Sequence, residues 1–258
     1  MRHTKHGGLG WVRDNPNFRD HQYAAPQSIM ANLPLLVDKR ADLPPAYDQS
    51  NLGSCVWNAL GGAIEFDLKR QKMPVICPSR LFGYYETRLL EGSVHSDAGC
   101  VIRDAIKVIA RKGAPHETLW PYDIAKFATK PPANAYKDAL LRQAIRYARV
   151  TQSAMQLKGC LAAGFPVVFG FTVFESFESD EVAQTGMMPM PASNEAELGG
   201  HAVLIVGYRD SDRRFIVRNS WGTAWGDNGH FYMPYEYATN TGLAADFWKI
   251  ELMEVSST

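Results

Sequence analysis

The chain has 258 residues, 46% of them hydrophobic and 21% charged, which is the balance of a globular protein long enough to bury a sizeable core. Lys+Arg and Asp+Glu are 27 each, so the formal net charge is zero and the broad basic field of a nucleic-acid binder is excluded. The apolar runs, such as Phe165–Phe174 and Ala202–Val206, are too short to span a bilayer and read as buried strands.

Met1 to Asp20 carries Arg2, Lys5, Arg13 and Arg19 but no apolar core, so no secretory signal is expected. The expected location is the cytoplasm, or outside it by a route without a cleavable signal. Residues 1–32 form a polar N-terminal extension without sustained periodicity. From Cys55 to Gln71, Ala59, Leu60, Ala63, Ile64 and Leu68 recur at steps of three and four, which predicts a helix with a wide apolar face. Ser79 opens a second helix through Leu81, Phe82, Tyr85 and Leu89. A third runs from about Val101 to Lys112 and stops at Gly113. A fourth is expected over Ala135–Ala148. Beyond Arg149 the pattern turns to strands: Val167–Phe174, Ala202–Tyr208, Arg214–Arg218, Phe231–Met233 and Phe247–Met253. Helices first and strands second argue an α+β fold in two lobes, 33–148 mainly helical and 149–258 mainly β, with a cleft between them.

Four cysteines (Cys55, Cys77, Cys100, Cys160) without a CxxC pair support neither a disulfide scaffold nor a zinc or redox motif. The scattered histidines lack ligand spacing, and no metal or organic cofactor is expected. Cys55 differs from the others. It follows Gly53-Ser54 and begins the long helix, where free N–H groups and the helix dipole favour a thiolate. The strands around 201–208 and 214–219 flank a polar turn, Arg209 to Arg213. In a hairpin, residues whose numbers sum to about 420 to 422 oppose one another, which brings His201 to Asn219 or a near neighbour. An Asn beside a His accepts its N–H and sets ring orientation and tautomer.

These residues carry a resemblance. Gln49-Ser50-Asn51-Leu52-Gly53-Ser54-Cys55 resembles the nucleophile segment of the papain family of cysteine peptidases. Gly200-His201-Ala202-Val203 is similar to its histidine strand. Asn219-Ser220-Trp221-Gly222-Thr223-Ala224-Trp225-Gly226 is similar to its asparagine segment almost residue for residue. The resemblance covers about Leu33 to the C-terminus. It implies a papain-like two-lobe fold with an antiparallel, barrel-like β lobe. It also implies Cys55 as nucleophile in a thiolate–imidazolium pair with His201, which serves as base and then protonates the leaving amine, with Asn219 as its orienter, Gln49 in the oxyanion hole and Trp221 covering the His–Asn bond. Peptides or proteins would be the substrates. Gly99, Cys100, Gly170, Gly199, Gly200, Trp221 and Asp246 are the expected substrate-binding residues, with Asp246 near the floor of the pocket for the second residue before the cut and inviting Arg or Lys.

Leu52 and Val56 depart from the family, which has a cysteine and an aromatic at those places. The family's disulfide near the active site is therefore not expected, and Trp57 is the candidate for the lost aromatic packing. These departures resemble the bacterial, xylellain-like branch. Residues 1–32 are shorter than the family's helical pro-domain and suggest either a strap over the cleft or an arm along the β lobe. Six acids between Glu175 and Glu197, with no Lys or Arg, would attract basic peptides. A thiol acyltransferase and a silent binding protein on the same fold stay open as other readings.

Overall fold

The structure is a computed structural model that describes residues 5, 7–15 and 17–253. In chain order the elements are β1 (Trp11–Val12), β2 (Gln22–Tyr23), α1 (Gln27–Met30), β3 (Leu36–Asp38), α2 (Cys55–Arg70), α3 (Arg80–Leu90), β4 (Cys100–Val101), α4 (Ile102–Lys112) and α5 (Ala133–Ala139). They continue with β5 (Gln143–Val150), α6 (Ala154–Ala162), β6 (Val167–Phe174), α7 (Asp180–Thr185), β7 (Glu197–Arg209), β8 (Arg214–Arg218), β9 (His230–Pro234), α8 (Tyr235–Thr239) and β10 (Ala244–Met253).

The eight-stranded sheet runs β2-β5-β10-β6-β7-β8-β9, with β3 against the far end of β7. Its two faces follow the period of two along each strand. Val168, Ala202, Leu204, Ile216, Trp248 and Ile250 face one core, shared with Leu60, Ile64, Ile106 and Ile109 of α2 and α4. Val167, Phe169, Phe171, Val203, Ile205, Phe215 and Phe247 face the other, shared with α6 and α8. A register shift after Ile205 breaks the alternation, and Tyr208 joins the second core. α2 is buried from Cys55 to Leu68, as befits a helix between the other helices and the sheet. Trp57 is fully buried and its indole N–H donates to Thr87 Oγ1 at 2.8 Å, so an aromatic anchor does sit one residue later than the family pattern has it.

Two expectations need correction. The fourth helix stops at Ala139, and Gln143–Val150 is a strand paired antiparallel with β10 and parallel with β2. Its Gln, Ala and Arg content favours a helix locally, but a neighbouring strand edge overrides a weak propensity. The papain-like two-lobe arrangement stands, yet the sheet is an open path ending at β2 and β9, not a closed barrel among the described residues. The extension is also more ordered than its composition suggests, since β1, β2 and α1 all lie within it.

Candidate active site

The segment before α2 is held by its own polar groups and by two from elsewhere in the chain. Asp48 accepts from the Ser50 N–H at 2.7 Å, Tyr122 donates to the Gln49 carbonyl at 3.0 Å, and Asp97 accepts from the Gly53 N–H at 3.1 Å. Ser54, the residue before the helix, contacts Tyr122 and accepts from Asn58. Cys55 therefore begins the helix in a fixed setting with its backbone N–H among the unsatisfied groups of the first turn. Its sulfur receives backbone N–H contacts from Ala202, the residue after His201, and from Gly10.

His201 lies on β7 opposite Phe171 of β6. Its Nε2 meets Asn219 Oδ1 at 2.7 Å, and the same oxygen accepts the Ser220 N–H at 2.8 Å. An oxygen taking two bonds acts as acceptor, so Nε2 carries the proton and Nδ1 of the neutral ring is the basic nitrogen. Nδ1 is buried without a hydrogen-bond partner, which leaves it available for proton exchange. Trp221 stacks on the imidazole with centroids 5.0 Å apart, and Trp225 and Phe177 pack against Trp221. His201 is fully buried and Asn219 nearly so.

Gln49 is also fully buried. Its carbonyl oxygen accepts from Ser220 Oγ at 2.5 Å, which orients the amide. Its Nε2 donates to the Leu52 carbonyl at 2.8 Å and to the Gly8 carbonyl at 2.9 Å. One donor thus anchors the side chain and the other points at the N-terminal extension.

That extension runs through the site. Gly8 N–H donates to the Ser50 carbonyl, and Cys100 N–H donates to the Gly10 carbonyl at 2.8 Å as β1 pairs parallel with β4. Trp11 donates its indole N–H to Asp246 at 3.1 Å. The approach is close enough to demand glycine on both sides. A Cβ on Gly10 would fall 1.8 Å from the Gly53 carbonyl oxygen, and one on Gly170 would fall 2.0 Å from the Trp11 ring. The remaining predicted binding residues meet the same segment: Gly99 faces Gly10, Gly199 faces Leu9, Gly200 faces Trp11 and Trp221 faces Gly7. All seven expected substrate-binding residues therefore border residues 7–14, and of the expected catalytic residues Gln49 and Cys55 meet the same segment.

With the cleft filled, burial pushes the Cys55 thiol up to about 11, against the pull of the surrounding N–H groups. Burial likewise pushes the His201 imidazole down to about 4, against its bond to Asn219. Both shifts work against the expected thiolate–imidazolium pair while this segment covers the site, because burial penalises each charged form. All four cysteines are free. No cluster of metal-ligating residues occurs among the described residues. No helix of the described residues is long and apolar enough to cross a membrane.

Sequence reading missed Arg149, Arg103, Asp14 and Trp11. Asp14 and Asp20 bridge the two arginines, and Arg149 also lies 3.4 Å from Asp246. The Gly7-Gly8-Leu9-Gly10-Trp11 run was the available signal, since small residues beside a tryptophan suit a chain that must thread a narrow groove. In the Met187–Pro191 stretch Met188 is buried, Met187 and Pro191 are half-buried, and Pro189 and Met190 are exposed.

Residues 33–248 match the model of the papain family cysteine protease. An uncharacterized peptidase C1-like protein of Acanthamoeba polyphaga mimivirus is 41% identical over 268 residues, covering 94% of this chain and 86% of that one. Cysteine proteinase 3 of Entamoeba histolytica is 27% identical over 250 residues, covering 92% and 73%. Among solved structures, xylellain, a cysteine protease from Xylella fastidiosa, is 42% identical with a TM-score of 0.90, covering 97% and 98%. The digestive procathepsin L 3 of Tenebrio molitor larval midgut shares the fold at 19% identity and a TM-score of 0.71, covering 95% and 75%. The chain belongs to the papain family of cysteine proteases.

Proposed function

We propose that this papain-family protease cuts peptide bonds with Cys55 as nucleophile, His201 as general base and acid, Asn219 as the positioning residue of His201, and Gln49 as an oxyanion donor. His201 Nδ1 takes the thiol proton, and the thiolate attacks the substrate carbonyl. The carbonyl oxygen, now negative, takes the Gln49 Nε2 donor and the Cys55 backbone N–H at the helix start. The imidazolium returns its proton to the leaving amine, and a water repeats the cycle in reverse to free the acyl group. Trp221 and Trp225 keep water from the His201–Asn219 bond. The observation that carries this reading is the buried His201 pair, whose Nε2 is tied to Asn219 while Nδ1 is left free beside the residue that contacts the Cys55 sulfur.

Residues 1–32 are, in the same reading, an inhibitory strap on the catalytic domain 33–258. Support comes from the Gly8 carbonyl occupying the cleft-facing donor of Gln49 and from the Trp11 ring filling the space against Gly170. Substrate and strap cannot hold these places together. A preference for basic residues next to the cut rests on the acids between Glu175 and Glu197.

Incubation with an epoxide inactivator of cysteine peptidases, followed by intact-mass measurement and a fluorogenic dipeptide assay, tests the chemistry. An adduct on Cys55 with cleavage that is lost in Cys55→Ala is expected. An adduct without cleavage would favour acyl transfer, and neither would leave a binding protein on this fold.

A further inference from the structure

At the end of the cleft beyond the Trp11 pocket lies a cluster that the proposed hydrolysis does not use. Arg103 on α4 and Arg149 on β5 stand together over Trp248, with Arg149 4.5 Å above the ring and Arg103 6.0 Å. Their side chains are only 13% and 17% exposed with the strap in place. Asp20 reaches Arg103 and Arg149 at 2.6 Å each. Asp14 reaches Arg149 closely and Arg103 at 3.5 Å. Arg103 Nε is buried with no hydrogen-bond partner. Apart from Asp246, whose carboxylate is 3.4 Å from Arg149, the carboxylates these arginines meet come from the strap.

The charge balance follows from these contacts. With the strap in place, two guanidiniums meet three carboxylates. Without Asp14 and Asp20, two guanidiniums meet Asp246 alone, and the mouth of the pocket turns positive. This inverts the basic preference expected from an acid at position 246. Asp246 already has a cation beside it and, through Trp11, shows that it accepts a ring N–H. A guanidinium is planar, permanently charged and matched to carboxylates, and here two are held on an indole face.

We propose that Arg103 and Arg149 form a carboxylate-binding subsite of the cleft, which recognises an acidic side chain of the substrate upstream of the pocket residue, while Arg149 neutralises Asp246 so that the pocket takes an uncharged aromatic residue and turns away Arg or Lys. The strap's Asp14, three residues along from Trp11, marks the distance, so the acid lies about three residues, roughly 10 Å, from the pocket residue. The inference rests on the peptidase reading of the cleft for its substrate direction. Its binding chemistry stands apart from turnover.

The test uses the full chain with Cys55→Ser to stop turnover and Trp11→Ala with Asp14→Asn and Asp20→Asn to free the site. Asp14→Asn and Asp20→Asn with Cys55→Ser, leaving Trp11 in place, is the second background should the quadruple variant fold poorly. Fluorescein-labelled peptides carry Asp or Lys three residues before the pocket position, and Trp or Arg at it. The Asp/Trp peptide is expected to bind at least about 10-fold more tightly than either Lys/Trp or Asp/Arg, the span of one charge-assisted contact. Arg149→Met should collapse both ratios to within about 2-fold, and Arg103→Met the first alone. Equal binding of Asp and Lys peptides, or no peptide binding in either background, would overturn the proposal. The same peptides are offered to the chain with Cys55 intact. Selective binding without cleavage would sink the peptidase reading alone, and cleavage without acid selectivity would sink the subsite alone.

Discussion

Trp11→Ala should open the cleft. A tryptophan side chain offers about 200 Å² of surface, and since Trp11 is only partly buried, ~100 Å² at ~25 cal/mol per Å² corresponds to ~2.5 kcal/mol. The indole N–H on the Asp246 carboxylate adds about 1.5 kcal/mol, because the acceptor is charged. Together these weaken strap docking by up to about 4 kcal/mol, close to 1000-fold in the ratio of open to closed forms. Backbone contacts of residues 8–10 persist in the variant, so about 30-fold is the least expected. Cys55 alkylation reports the open fraction directly, because the closed form buries the sulfur beneath Gly10. The assay is the second-order rate of epoxide labelling, followed by intact mass, with hydrolysis of a fluorogenic peptide measured alongside. Labelling and hydrolysis should rise together. Rates within twofold of the parent chain, on a variant with an unchanged melting curve, would refute the claim that this segment controls access.

Gln49→Ala should lower kcat about 100- to 1000-fold with a small change in KM, as for loss of one oxyanion donor, and steady-state kinetics in the Trp11→Ala background would check it. Asn219→Ala should cut kcat/KM by at least about 10-fold and shift the pH–rate profile, because the imidazole loses the acceptor that holds its tautomer; a change in KM alone would count against a positioning role. His230 supplies a stability test with a definite sign. Burial pushes its imidazole down to about 4 from 6.5, so the unfolded chain binds a proton that the folded chain refuses. The stability this contributes is present above pH 6.5 and is lost as pH falls towards 4. Relative to His230→Gln, the parent chain should lose up to about 3 kcal/mol between pH 7 and pH 4 in paired denaturant melts, and a pH-independent difference would show that His230 is not held neutral.

The proposed triad and oxyanion donor were legible through their resemblance to the family's segments, and the local pattern agrees with it. Cys55 opens a helix whose period is plain, and His201 and Asn219 close a hairpin whose polar turn is visible. Leu204 faces Arg218 and Ile205 faces Val217, close to the pairing expected from the turn. The strands of the second half were legible for the same reason, since alternation along a strand depends on the two faces of one sheet. Gln143–Val150 failed because its residues suit a helix and only the edge of β10 makes it a strand.

By itself, the order of residues determined the family and pointed to the proposed nucleophile, its partners, and the glycines and acid that border residues 7–14. These are encoded by short-range constraints: a helix start, a two-residue period, and a segment whose tryptophans and glycines fit one geometry. Only the tertiary structure decided what fills that cleft and what charge it presents. Gly8, Trp11 and Asp14 are separated from Gln49, Gly170 and Arg149 by tens of residues or more, and no periodicity records contacts made across such distances. Arg149 stands beside Asp246 although it lies 97 positions earlier, because a charge is read by its neighbours in space and not by those in the chain.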